Sequence, residues 1–362
     1  MTRKRIPVLV LAAFTMLGLL AACGGGDDSS DSTSQGSTTD SAKLAPATLN
    51  ASGATFPQAF YEQAIASFSE KHSGVTINYG GGGSGKGRTD LQTGVVDFAG
   101  SDGLVKEEDK PKFKGPFLYF PTVAAPITVS YKLDGVDSQL QLSPETIAKI
   151  FQREIKTWND KAIAADNPDA KLPSTPIVVA RRSDSSGTTE NFTKFLKAAA
   201  PSVWKLDAGS TVNWPADTQG GNGNSGVAQI VSGTNGAIGY VDFSDAKATN
   251  LKWAKVKNKA GQWVDPTLDA ASAALAGVEI KPDLSYSPLW ADGEAAYPIT
   301  APTWILAYTT QSDKAKGEAL KAFLKFIYED GQEMAAEVSY AKLPDTLKDK
   351  ALAQVDQLVI PG

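Results

Sequence analysis

The run Ile177-Val178-Val179-Ala180 leads directly into Arg181-Arg182-Ser183-Asp184-Ser185-Ser186-Gly187-Thr188-Thr189, and this junction constrains the fold more than any other stretch of the chain. The apolar, β-branched run predicts a buried strand, and Phe192, Phe195, Leu196 and Ala199 then recur at helical spacing. The polar turn therefore joins a strand to a helix N-terminus. At such a junction the first backbone N–H groups lack intrahelical partners and the helix dipole is positive, so a bound anion is stabilised. Ordinary helix capping by Ser or Thr, with an Arg–Asp ion pair beside it, accounts for the same letters. Taken alone, the turn supports both readings equally.

The chain opens on Met1-Thr2-Arg3-Lys4-Arg5, and an apolar run over residues 8–22 ends at Cys23. That run falls short of the ~20 residues a membrane-spanning helix needs, so residues 1–22 are expected to be a secretory signal. Leu20-Ala21-Ala22-Cys23 resembles the lipobox of bacterial lipoproteins. This implies a lipidated Cys23 as first residue of the mature chain, anchored in the bilayer on the extracytoplasmic face of the cell membrane. Cys23 is the single Cys, so an intrachain disulfide or a Cys-pair metal or redox site is excluded. Residues 23–46 are mostly Gly, Ser, Thr and Asp and read as a flexible tether, because they bury too little apolar surface to offset their ordering entropy. The remaining ~315 residues exceed one comfortable core and fit two lobes. A formal net charge of −5 argues against nucleic acid as a partner, so any anion site must be built locally.

Two further junctions share the physics of the first. Ser52-Gly53-Ala54-Thr55-Phe56-Pro57 precedes a helical pattern carrying Phe60, Ala64, Ile65 and Phe68, with Pro57 suited to the first helical position. Val75-Thr76-Ile77-Asn78-Tyr79 alternates like a strand and runs into a glycine-rich stretch, residues 80–87, after which Ser84 opens a short helix. Val95-Val96-Asp97-Phe98-Ala99 reads as a strand that delivers Ser101 and Asp102 at its C-terminal end, where ligands gather in open α/β sheets. Gly80, Gly82 and Gly85 satisfy G-x-G-x-x-G only formally, and the P-loop pattern lacks the Ser or Thr after Lys86, where Gly87 stands.

In the middle of the chain Ser143-Pro144-Glu145 starts a helix with Ile147, Ile150 and Phe151. The loop over residues 220–226 opens another with Val227, Ile230 and Val231, and Gly236-Ala237-Ile238-Gly239-Tyr240-Val241 reads as a strand whose Tyr240 belongs to the core. Trp304-Ile305-Leu306-Ala307-Tyr308 gives a last strand, and Leu320, Phe323, Leu324 and Ile327 an amphipathic helix. Strands alternating with helices indicate α/β architecture.

Six segments in matching order resemble the periplasmic phosphate-binding proteins that serve high-affinity phosphate ABC transporters. They are residues 51–57, 96–102, 120–122, 181–188, 236–240 and 297–300, and the resemblance spans roughly residues 49–347. It implies a two-lobed periplasmic-binding-protein-like fold (type II) with two crossings, near residues 122–126 and 297–300, and a ligand cleft at the hinge. The first lobe would comprise residues 47–124 and 297–362, the second residues 125–296. Carried over by position, the phosphate contacts fall on Thr55, Phe56 through its backbone N–H, Ser84, Asp102, Arg182, Ser186, Gly187 and Thr188, with Asp184 as the ion-pair partner of the Arg. One departure is Gly85-Lys86, where the family has a second Ser after the first; Lys86 either adds charge near the cleft or faces water.

The implied function is capture of inorganic phosphate and its delivery to membrane permease subunits, by a monomer with no cofactor or metal. A carboxylate such as Asp102 facing an anion repels it unless the anion brings a proton, so protonated phosphate is admitted and sulfate refused. Binding of another tetrahedral oxyanion, sulfate or arsenate, is the alternative within this class. A secreted phosphatase or a serine hydrolase using Ser186 is the alternative outside it. Against an enzyme, the single His, His72, falls in a helix-ending turn, and no His/Asp/Glu set has metal-ligand spacing.

Overall fold

The computed structural model describes residues 44–362. The signal over residues 1–22, Cys23 and the tether up to residue 43 lie outside the described residues. Of the expected tether only residues 44–46 are described, and Leu44 there rests against the core.

The first part of the chain builds β1 (Ala47–Gly53), α1 (Gln58–Lys71), β2 (Val75–Gly80), α2 (Ser84–Thr93), β3 (Phe98–Ser101) and the long β4 (Phe117–Tyr131). Then follow β5 (Gln141–Leu142), α3 (Pro144–Phe151), α4 (Lys161–Asp166), β6 (Val178–Arg182), α5 (Gly187–Ala199), β7 (Gln219–Gly221), α6 (Gly223–Gly233), β8 (Ala237–Asp242) and α7 (Phe243–Ala248). β9 (Lys252–Trp253), β10 (Lys255–Lys257), β11 (Trp263–Val264) and α8 (Leu268–Leu275) precede β12 (Thr300–Tyr308), and α9 (Lys314–Phe326), α10 (Gln332–Met334) and α11 (Asp345–Val355) close the chain. No helix among the described residues is long and apolar enough to cross a membrane.

Nine strands form one sheet in the order β2-β1-β3-β12-β4-β8-β6-β7, with β9 also on β4. Its two halves meet along β4. Residues 117–126 of β4 pair antiparallel with β12, whereas residues 127–131 pair with β8. The handover falls at Pro126 and Ile127, opposite Thr300 and beside Ile299, whose carbonyl accepts from the Ile127 N–H at 2.8 Å. The two stretches in which chain crossings are expected, residues 122–126 and 297–300, therefore pair with each other. β1 and β6 each lie between two parallel neighbours, β1 between β2 and β3 and β6 between β7 and β8.

Local chemistry sets the helix starts that matter. Ser186 caps α5, accepting from the Thr189 N–H at 3.1 Å, and Phe192, Phe195 and Leu196 turn inward. Ser143 caps α3 in the same way, with Pro144 behind it. α1 begins at Gln58, one residue later than expected, with Pro57 just outside it. α6 begins at Gly223, inside the expected loop. The strand expected over residues 95–99 instead runs from Phe98 to Ser101. Gly94 and Val95 donate their N–H groups back to the last carbonyls of α2, so those residues finish the helix and Val95 stays exposed.

Candidate anion-binding site

Each of the three strand-to-helix junctions read from the sequence places its polar residues where the two halves of the sheet meet. Thr55 and Phe56 lie at the mouth of α1, Ser84 is the first residue of α2, and Asp102 follows β3 directly. From the other half come Arg182, the last residue of β6, and Ser186, Gly187 and Thr188 at the mouth of α5. Ser84, Asp102, Arg182, Ser186 and Thr188 are all buried, Asp102 to 2% and Arg182 to 3% residual exposure.

Two sets of contacts tie these groups together. In the first, the Asp102 N–H donates to Ser84 Oγ at 3.1 Å, Ser84 Oγ faces Asp102 Oδ2 at 3.3 Å, and Gly187 lies against both side chains. In the second, Arg182 Nη1 donates to Thr188 Oγ1 at 3.3 Å and to Asn224 Oδ1 at 3.1 Å, while the Asn224 N–H donates to Thr55 Oγ1 at 3.3 Å. Arg182 also grips Asp184 with two nitrogens, Nε to Oδ1 at 2.7 Å and Nη2 to Oδ2. Asp184 in turn accepts from the Gly223 N–H at 3.1 Å. Ser186 is a cap and a buried hydroxyl at once: its lone pair serves Thr189, leaving its proton free to donate. Phe56 is fully buried, with its carbonyl accepting from Tyr340 Oη at 2.6 Å.

The electrostatics of the two carboxylates differ. Burial pushes Asp102 up to about 7, against the opposing pull of the Thr303 hydroxyl, the Arg182 charge, Ser84 and Arg88. Burial also acts on Asp184, but the hydrogen bonds and charge of Arg182 outweigh it and hold this carboxyl below its ordinary value. Asp184 is thus a fixed anion that aims the guanidinium. Asp102 is a poised one, able to change protonation near neutral pH.

Several contributors carry no family-like signal in the sequence reading. Asn224 bridges Thr55 and Arg182 from the start of α6, a fourth strand-to-helix junction. Asn191 of α5 donates to the Asp102 carbonyl at 2.7 Å. Tyr240, expected in the core, does stack on Phe192 with ring centres 4.5 Å apart, and its hydroxyl also accepts from the Arg182 N–H at 3.0 Å. Thr303, remote in sequence, donates to Asp102 Oδ1 at 2.8 Å. Lys86 is paired to Asp90 and lines a cavity of about 770 Å³ with Arg88 and Lys194, which none of the expected phosphate contacts lines. It is half-exposed there and is not among the buried groups. His72 sits at the far end of α1 against Phe68; at ~1.5 Å per residue the 14-residue helix puts it roughly 20 Å from Thr55.

Hydroxyls, helix N-termini and an arginine fork thus converge where the sheet changes partners along β4, an arrangement suited to a buried anion. Residues 31–330 match the family model described as a PBP superfamily domain. The phosphate-binding protein PstS of Pasteurella multocida is 35% identical over 312 residues, covering 85% of this chain and 89% of that protein. PstS of Methanocaldococcus jannaschii is 33% identical, covering 98% and 96%. Among solved structures, the high-affinity periplasmic phosphate-binding protein PfluDING superimposes with a TM-score of 0.72 at 21% identity, over 87% of this chain and 100% of that one. The phosphate-binding protein from Stenotrophomonas maltophilia gives 0.69 at 20% identity, over 85% and 93%. The chain belongs to the PstS family of phosphate-binding proteins.

Proposed function

We propose that this chain captures inorganic phosphate between its two lobes and hands it to the permease of an ABC-type importer. The observation that carries this reading is a buried carboxylate, Asp102, set opposite a buried arginine fork, Arg182, across one α5 N-terminus. Thr55, Ser84, Ser186 and Thr188 supply hydroxyl donors, Phe56 and Gly187 supply N–H groups, and Arg182 supplies charge. Together they replace the hydration that an oxyanion loses on burial. Asp102 accepts the proton that phosphate retains at neutral pH, and it repels an oxyanion with no proton to give. Arsenate, alike in shape and protonation, is admitted on the same terms. Residues 47–124 and 297–362 form the first lobe of this reading and residues 125–296 the second, in keeping with the handover of β4 pairing at Pro126 and Ile127.

Binding rather than catalysis fits the site. Ser186 has no histidine within reach, since His72 lies at the opposite end of α1. The protein acts as a monomer held to the extracytoplasmic face through acylated Cys23. Calorimetric titration of protein freed of carried-over phosphate tests the function: one phosphate bound per chain is expected, without release of product from a phosphomonoester. Folded protein that ignores phosphate refutes the reading. Loss of membrane association in Cys23→Ala is the expected result for the anchor, and unchanged association contradicts it.

A further inference from the structure

We infer that Thr303 on the hinge strand β12 aims the Asp102 carboxylate, and so sets the selectivity of the site without touching the anion. This deepens the phosphate-clamp reading and rests on it. The two oxygens of Asp102 have different surroundings. Oδ1 accepts from Thr303 Oγ1 at 2.8 Å, whereas Oδ2 faces Ser84 and the Gly187 end of α5, the side from which an anion is held. A carboxylate with both oxygens unrestrained could rotate; one held at Oδ1 presents Oδ2 alone to the proton of the ligand.

The strand register explains how a residue 201 positions away reaches this oxygen. β12 pairs antiparallel with β3, Trp304 opposite Ser101, so Thr303 falls one step on, opposite Asp102. On its other edge β12 meets β4 with a break in register. Pro302 pairs with Ala124 and Trp304 with Pro121, leaving Thr122 and Val123 opposite the single residue Thr303. Such bulges re-aim side chains beside sites. The competing acceptor, the Ser101 carbonyl, lies at 3.5 Å, so the Thr303 proton belongs to Asp102.

Donation from Thr303 favours the ionised carboxylate, in concert with the charges of Arg182 and Arg88 and with Ser84. The other titratable groups facing Asp102 are the phenols of Tyr61, Tyr79 and Tyr340, all pushed above the tyrosine range chiefly by burial and therefore neutral near pH 7. Loss of the Thr303 hydroxyl thus lets Asp102 keep its proton to higher pH. A protonated Asp102 donates to any oxyanion and no longer refuses sulfate.

The test is calorimetric titration with phosphate and with sulfate, across the pH range from about 5.5 to 8.5, of wild type, Thr303→Val and Thr303→Ser. Thr303→Val is expected to weaken phosphate binding at the alkaline end about tenfold, the scale of one hydrogen bond to a charged group. It also moves the onset of sulfate binding to higher pH, and Thr303→Ser restores both. In an Asp102→Asn background the Val replacement is expected to leave the phosphate-to-sulfate ratio unchanged. Thr303→Ala serves as the second hydroxyl-free variant if the Val protein does not fold. A hydroxyl-free variant with wild-type selectivity and pH profile overturns the role of Thr303 while leaving the clamp standing. Wild-type protein that does not discriminate between the anions overturns the clamp reading and this inference with it.

Discussion

Gly187 stands so close over Asp102 that a methyl group on its Cα falls 2.6 Å from the Asp102 Cβ and closer still to Ser84 Oγ. The residues come from opposite halves of the sheet, so the missing side chain is what allows the halves to meet. Gly187→Ala is expected to lower phosphate affinity about 100-fold, since the closed arrangement becomes scarcely populated. Its melting temperature without ligand is expected to fall by several degrees as well, because the same overlap with Ser84 and Asp102 stands in the structure without a bound anion. Calorimetry and thermal melting check the pair. Undiminished affinity contradicts the closed geometry.

Asp102 also leaves a mark on stability. Folding raises this carboxyl from about 4 in the unfolded chain to about 7, so the folded protein binds the extra proton in between. The stability it contributes is fully present below about pH 4 and is lost as pH rises through about 7. Phosphate-free Asp102→Asn is therefore expected to melt several degrees above wild type at alkaline pH, with the gap narrowing steadily as the pH falls towards 4. Melting curves that shift in parallel across that range contradict the assignment.

The planar fork of Arg182 makes four contacts, two with Asp184 and one each with Thr188 and Asn224, while its backbone N–H donates separately to Tyr240. Lysine keeps the charge but not the fork. Arg182→Lys is expected to bind phosphate roughly 100-fold more weakly, about 3 kcal/mol, the range of a lost charge-assisted pair in a buried site. A loss below about threefold in calorimetry indicates that charge alone suffices.

The strand-to-helix junctions of this candidate site are legible where chemistry is local. Strand, polar turn and helix follow one another within a dozen residues at Ser84, at Arg182–Thr188 and at Thr55, and helix capping obeys nearest neighbours. The start of β3 differs from the expectation because Val95 and Val96 look like strand while the backbone of Gly94 and Val95 completes the α2 cap, a competition that letters alone do not decide. Thr303 was invisible for a different reason. Its role depends on the register of β12 between β3 and β4 and on a bulge, and both are tertiary facts. Asn224 lies between these cases: its Gly-rich junction repeats the pattern of the other three, which could have flagged it.

The most direct measurement is titration of sulfate, at about pH 8, into phosphate-free wild type and Asp102→Asn, with phosphate as the reference ligand for both. Wild type is expected to bind phosphate one-to-one and to give no sulfate signal, whereas Asp102→Asn gains sulfate binding by roughly 100-fold or more as the like-charge repulsion disappears. Asp102→Asn that rejects sulfate as wild type does, while still folded and still binding phosphate, would contradict the account of a clamp that selects its anion by the proton it carries.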